Sequence, residues 1–434
     1  MRLRATEVAA ATGGTLLGPD AEIEGAAVDS RTLRGGELFV ALKAERNGHD
    51  FVEAAFEAGA AASLVSAETP RVPAVLVDDT LRALTSLATA ARARIGGTVI
   101  GITGSVGKTS TKDLLAAALG RRFRVSASAR SFNNELGVPL TVLNTPDDAE
   151  ALVVEMGARG RGHIASLCAV ARPSIGVVTT VGLSHAEFFG TLDDVVRAKG
   201  ELVESLPAHG TAVLNADVDL VAAMAERTEA QVLTFGLAAA DVRAEDVSLD
   251  DDLRASFRLR TPWGSAGVRL HIRGHHQVGN ALAAAAAALA GGATVGDVAA
   301  GLGDARLSPW RMQLERSPSG ALILNDAYNA NPLSSEAALR ALANLPAERR
   351  TAVLGIMAEL GDVGPAEHAR IGALAAELGI RLIAVGAPDY GGEQVASAEE
   401  ALDRLGPLGP GDAVLVKGSR AAGLERLADS LAGS

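Results

Sequence analysis

Apolar and polar positions fall into three successive patterns along the chain. Over the first 79 residues, short apolar runs at Leu38 to Leu42, Ala62 to Val65 and Ala74 to Val77 surround one Ala-rich helical stretch, Asp50 to Ala58. This mixture predicts a small α/β domain. From Thr80 a helical pattern leads into the apolar run 99–104, and further runs follow at 151–156, 175–181, 211–217 and 231–236 with amphipathic stretches between them. Continuously apolar strands separated by helices imply a parallel sheet covered on both faces. Between Val242 and Ile272 the pattern changes to alternation around Pro262-Trp263-Gly264, which predicts an antiparallel appendage, and helical stretches follow at 276–290 and 294–302. After the Ser308-Pro309 break a new series begins at 321–327, 351–357, 381–386 and 413–418, each run followed by a helical stretch. The prediction is an α/β chain of three domains, 1–79, 80–309 and 310–434, the last Rossmann-like.

The length of 434 residues suits that division, at roughly 150 residues per domain. With 48% apolar but only 3% aromatic residues, the cores must be built from Ala, Val and Leu. Lys and Arg number 40 against 52 Asp and Glu, a formal charge of −12, so a general role on nucleic acid or an anionic membrane surface is excluded. An anionic ligand must be held by local cations and backbone dipoles. The single cysteine, Cys168, reads as a small buried apolar side chain in a reducing compartment. Thr6 and Glu7 interrupt what would be the apolar core of an export signal, and the apolar run 281–290 is mostly alanine and about half a bilayer span. A soluble, cytoplasmic protein without membrane insertion is expected.

The sharpest motif is Gly104-Ser105-Val106-Gly107-Lys108-Thr109-Ser110, between an apolar strand and a helical stretch. Glycines let backbone N–H groups converge on phosphate oxygens, the helix N-terminus adds a positive dipole, Lys108 reaches terminal phosphates and the Thr109 hydroxyl can ligate Mg²⁺. The motif reads as a nucleoside triphosphate site, although Ile102 stands where the full pattern asks for Gly. Glu155 ends the run 151–156, where the carboxyl edge of a parallel strand would aim it at the same crevice. A carboxylate there can hold Mg²⁺; taken alone it could equally cap a helix. His185 follows the next strand, and Lys199 lies on an amphipathic helix 14 residues later. By themselves these two read as well as a solvated loop histidine and a surface lysine.

Together with Glu155-Met156-Gly157, Gly274 with His276, Asn280, Arg311, the stretch Asp326 to Pro332 and the closing Val416 to Arg420, these residues resemble the Mur ligase family of ATP-dependent amide-bond-forming enzymes, in order along essentially the whole chain. The stretches starting at Ser131 and Asp326 are similar to the family member whose substrates are UDP-N-acetylmuramoyl-tripeptide and D-alanyl-D-alanine. The resemblance implies a UDP-sugar domain, a central phosphate-loop ATPase and a C-terminal domain closing over the amino substrate. It also implies ATP and Mg²⁺ as cofactors and a carbamylated Lys199. By the same carry-over, Ser30 and Arg31 contact uridine diphosphate. Thr109 and Glu155 hold one Mg²⁺, while Glu155, His185 and Lys199 surround a second. His276 and Asn280 meet adenine, and Arg311 and Asp326 meet the phosphates and ribose. Asn133, Asn134, Tyr328, Asn329 and Asn331 shape the peptide or closing surfaces, and Lys417, Ser419 and Arg420 complete a strand-to-helix turn suited to a substrate carboxylate or phosphate, or equally a helix N-terminus with surface cations. Three positions depart from the family pattern: Gln277 replaces an Asn, Asn325 an Asp, and Ile356 an acidic residue. A monomer is expected. The competing readings are a Mur-type or folylpolyglutamate-type ligase with another acceptor, and a nucleotide-switched scaffold.

Overall fold

The computed structural model describes residues 1–69, 71–129, 131–182 and 186–433. Among them the strands form four sheets. The largest has nine strands in the order Val125–Ala127, Ala151–Glu155, Thr98–Thr103, Ile175–Val178, Thr211–Asn215, Gln231–Gly236, Val242–Leu249, Arg254–Thr261, Gly264–Arg273. The first seven run parallel and the last two antiparallel, so the expected appendage extends the main sheet itself.

Successive side chains of a strand point to opposite faces, and here both faces are apolar. Leu152 and Val154 enter one core with Leu140, Ile164 and Leu202; Ala151 and Val153 enter another with Leu114, Leu115 and Leu282. The second core contains the unbroken buried run Ala283 to Ala288, whose small side chains bring the helix Gln277–Ala290 close to the helix Lys108–Leu119. Low aromatic content is therefore matched by close helix packing rather than by large side chains.

The strand Thr98–Thr103 lies between Ala151–Glu155 and Ile175–Val178. The chain leaves it toward one edge and later returns on its other side. A parallel sheet opens a crevice at the carboxyl ends of its strands where the order switches in this way.

The N-terminal residues form a five-stranded mixed sheet and a small antiparallel pair, Arg2–Arg4 with Glu22–Glu24. The helix Thr80–Ala91 joins this layer to the central one. Its Leu84, Leu87 and Ala88 share one apolar core with Val8, Leu64 and Val75 on one side and Val138, Ile164 and Leu167 on the other. The C-terminal sheet has six strands in the order Gln313–Arg316, Leu322–Asn325, Asp412–Lys417, Arg349–Gly355, Arg381–Val385, Glu393–Val395, all parallel except the first. Two apolar cores cover its faces. Cys168 is buried, and burial pushes its thiol up to about 12. Among the described residues no helix is long and apolar enough to cross a membrane.

Candidate active site

The strand Thr98–Thr103 is buried along all but its first residue, and the chain turns sharply at its end through Gly104, with φ of 151°, and Gly107, with φ of 85°. A Cβ at Gly104 would lie 1.9 Å from Thr179 Oγ1, and one at Gly107 would lie 2.3 Å from Asn280 Oδ1. Glycine is needed at both for positive φ and for close approach. Thr179 fastens the loop by donating to the Val106 carbonyl at 2.6 Å, and the Ser105 hydroxyl donates to Gly182 O at 2.9 Å. No side chain caps the helix Lys108–Leu119, which leaves its first N–H groups facing the crevice.

The Thr109 hydroxyl is the meeting point of the site. It donates to Glu155 Oε2 at 2.8 Å and accepts from Arg311 NH2 at 3.0 Å. The other carboxylate oxygen of Glu155 accepts from Asn133 Nδ2 at 2.8 Å, and the Glu155 backbone N–H donates to Ser128 Oγ at 3.1 Å. Register aligns Glu155 with Ile102 on the neighbouring strand, so the edge rule places this carboxylate directly beside the phosphate loop. A fixed carboxylate and a hydroxyl form a hard oxygen pair of the kind that suits Mg²⁺.

Lys108 is folded back, its Nζ donating to Gly104 O at 2.7 Å. Burial pushes its pKa down; the Glu155 carboxylate counters this and Arg311 adds to it. Lys199 is 1% exposed on the helix Leu192–Glu204, so it is no surface lysine. Burial, reinforced by the Lys108 charge, pushes its ammonium well below the ordinary lysine range. His185 lies outside the described residues.

The C-terminal module contributes one wall. Arg311 stacks over Tyr328 at 4.2 Å, and Tyr328 OH donates to Ser131 Oγ at 2.6 Å. Lys417 is buried and donates to Asp326 Oδ2 at 2.6 Å and to the Asn329 carbonyl at 2.8 Å. The other Asp326 oxygen accepts from Met312 N. On the opposite wall Asn280 Nδ2 donates to Gln277 Oε1 at 2.8 Å, and Gln277 Nε2 lies 3.1 Å from His276 Nε2. Gln277 thus keeps the amide chemistry of the residue it replaces. Burial pushes His276 down to about 4, so its ring is neutral near pH 7.

These groups line one cleft of about 520 Å³ together with Ser105, Val106, Ser110, Asn133, Asn134, Asn329 and Asn331. Two of the expected contacts have local work as well: Asn134 Oδ1 accepts from Gly137 N at the start of a helix, and Asn331 caps the helix Pro332–Ala343. Six of the described site residues lie outside the cleft lining: Gly104 beneath the loop, the buried Lys199, and Ser30, Arg31, Ser419 and Arg420. Ser30 and Arg31 sit in a surface turn where Arg31 pairs with Asp29, whose carboxyl falls to about 2. Ser419 accepts from Ala358 N, and Arg420 stacks on Trp310 at 4.5 Å. Cleft residues that the sequence did not single out include Thr179, Asn215 and Phe235. All three lie within two residues of the carboxyl ends of the predicted strands 175–181, 211–217 and 231–236, so the edge argument used for Glu155 could have found them.

Residues 102–288 match the Mur ligase middle domain, and residues 310–420 match the Mur ligase, glutamate ligase domain. The chain is 44% identical to the UDP-N-acetylmuramoyl-tripeptide–D-alanyl-D-alanine ligase of Mycobacterium tuberculosis, over 93% of this chain and 91% of that one. It is 37% identical to the ligase of the same name from Escherichia coli, over 96% of each. In structure it is similar to MurF from Acinetobacter baumannii, with a TM-score of 0.90 and 32% identity over 100% and 99% of the two chains. The MurF ligase of Thermotoga maritima in complex with ADP aligns with a TM-score of 0.82 and 28% identity, over 94% and 97%.

Proposed function

The chain belongs to the Mur ligase family, and we infer that it is the ATP-dependent ligase that adds D-alanyl-D-alanine to UDP-N-acetylmuramoyl-tripeptide in peptidoglycan precursor synthesis. The observation that carries this reading is the convergence on one hydroxyl, Thr109, of the phosphate loop, the Glu155 carboxylate and Arg311 from the third module. The terminal carboxylate of the tripeptide attacks the ATP γ-phosphorus, forming a carbon–O–phosphorus link and releasing ADP. The amine of D-alanyl-D-alanine then attacks the acyl carbon of this acyl phosphate, phosphate leaves, and the amine proton goes to solvent. A carboxylate is a poor electrophile; phosphorylation supplies its leaving group.

In this scheme residues 1–79 hold the UDP sugar, 80–309 the ATP and 310–434 the dipeptide. Backbone N–H groups of residues 104–110, Lys108 and Arg311 cradle the phosphates, where stabilising charge on the transferring group is the largest demand. His276, through its neutral ring, and Asn280 receive the adenine, and Asp326 the ribose. Tyr328, Asn329, Asn331 and Lys417 orient the amino substrate. Ser30, Arg31, Ser419 and Arg420 lie farther out and engage the substrate ends. Thr109 with Glu155, and Glu155 with His185 and Lys199, would hold Mg²⁺, which when bound neutralises charge on the phosphoryl oxygens. The depressed pKa of Lys199 leaves its amine free to add to CO₂ with loss of a proton, turning a cation that would repel metal into an anionic oxygen donor. The working unit of this scheme is a monomer.

The test is direct. Purified protein with ATP, Mg²⁺, UDP-N-acetylmuramoyl-tripeptide and D-alanyl-D-alanine should give the pentapeptide with equimolar ADP and phosphate. Failure of the dipeptide while another amine reacts would overturn the assignment, and ADP release indifferent to the amine would favour a nucleotide-switched scaffold.

A further inference from the structure

A second cavity, of about 820 Å³, opens beside the active-site cleft between the last strand of the central sheet and the chain segment 304–313 that crosses to the third module. It is lined by Arg254, Arg273, Arg306 and His271, with Asp304 as its carboxylate. Asp304 is engaged elsewhere, 3.3 Å from Arg121. Arg311 also borders the cavity but sends its guanidinium to Thr109. A concave surface of this sign is unexpected on a chain of net charge −12.

Arg254 and Arg273 stand directly opposite each other on adjacent antiparallel strands, at the end of a ladder that is irregular next to Arg254. Like charges in this relation repel. The Nε atoms of both are buried with no hydrogen-bond partner. Arg254 has Asp252 at 3.2 Å, whereas Arg273 makes no such ion pair among the described residues. Burial and the Arg254 charge both weigh against the Arg273 cation, offset in part by Asp252 and Asp250. Two half-buried guanidiniums side by side on one cavity wall, one without a carboxylate partner among the described residues, offer the forked N–H donors that recognise phosphate oxygens.

We propose that this cavity is a binding site for a polyphosphate anion, of pyrophosphate to nucleoside diphosphate size, distinct from the ATP cleft and held by Arg254, Arg273 and Arg306. Its volume lies within the range of small-molecule sites. The wall 304–313 includes Trp310 and Met312, both in left-handed backbone conformation with φ of 60° and 51°. An anion bound here would tie this crossing segment to the central sheet, and so bears on how the third module moves.

Pyrophosphate binding measured by isothermal titration calorimetry tests the site. The wild type should show two classes of pyrophosphate site. Lys108→Ala should lose the phosphate-loop class and keep the second. Adding Arg273→Gln, or the exposed Arg306→Gln, to Lys108→Ala should weaken that remaining class by about tenfold or more. Arg306→Gln in the otherwise native chain gives the same comparison should Lys108→Ala not fold. Uridine diphosphate in place of pyrophosphate separates the sources: tighter binding assigns a nucleotide, equal binding a free phosphate anion. Arg273→Gln alone, without ligand, should keep or raise the melting temperature because it removes a repulsion. Loss of all pyrophosphate binding in Lys108→Ala, affinity unchanged in both arginine variants, or a marked fall in melting temperature for Arg273→Gln would each overturn the proposal.

Discussion

Lys199 shows how burial alone can change what a side chain is for. A lysine on an amphipathic helix reads as a solvated cation, and only the fold reveals that it is 1% exposed with another lysine close enough to disfavour its charge. Replacing it by alanine should lower ligation by about a hundredfold or more, the scale on which charge-stabilising groups act. Added short carboxylic acids should restore part of the rate. Wild-type activity in the variant would remove the carbamate from the scheme. His276 gives a pH signature of its own. Its folded pKa, about 4, lies below the ordinary 6.5, so the unfolded chain binds a proton that the folded chain refuses. The stability it lends is complete above about pH 6.5 and lost as pH falls toward 4, on the order of 3 kcal/mol at 1.36 kcal/mol per unit. Thermal unfolding from pH 7 to 4 should therefore be less acid-sensitive in His276→Gln than in the native chain; parallel curves would show that the ring titrates normally.

At the scale of the element, the phosphate loop was readable because everything it needs lies within seven consecutive residues. Glycines at 104 and 107 are dictated by positive φ and by close contact with Thr179 and Asn280. Gly107→Ala should cost about 2 kcal/mol in stability from left-handed backbone alone, with further loss of ATP affinity as Asn280 is displaced; a melting curve and nucleotide titration check both. The long central strands were legible for the same local reason, since continuous apolarity announces a doubly covered sheet. By contrast, Arg2–Arg4, Thr15–Leu17 and Glu22–Glu24 are three-residue edge strands with exposed or half-exposed positions, too short to establish a period. The contacts that assemble the cleft were also out of reach. Arg311 meets Thr109 across 202 positions and Tyr328 meets Ser131 across 197, and no periodicity carries such pairing. Strand ends were an intermediate case: the rule that found Glu155 applies equally to Thr179, Asn215 and Phe235, although their side chains carry no charge to draw notice.

On the scale of the whole molecule, the sequence divides into three modules, but the packing does not divide evenly. The helix Thr80–Ala91 places its apolar face in a core that runs without interruption from Met1 and Val8 to Val154 and Leu202. The third module is covered by cores that are its own except for Leu253, which enters from the central module, and in the described cleft it meets the rest through polar contacts such as Tyr328 with Ser131 and Arg311 with Thr109. Scanning calorimetry should consequently resolve two cooperative melting units, not three, with residues 1–304 unfolding together. Three separate transitions would contradict this.

That fused core has a mechanical consequence for a reaction that must bring three partners to one point. On the function proposed above, residues 1–79 hold the sugar end of the acid and share one apolar core with the module whose loop grips the nucleotide, so the packing ties those two ends of the reaction together. The approach of the amine is then the single adjustable coordinate, and evolution could retune the incoming nucleophile by remodelling one lobe while leaving the phosphorylation step untouched.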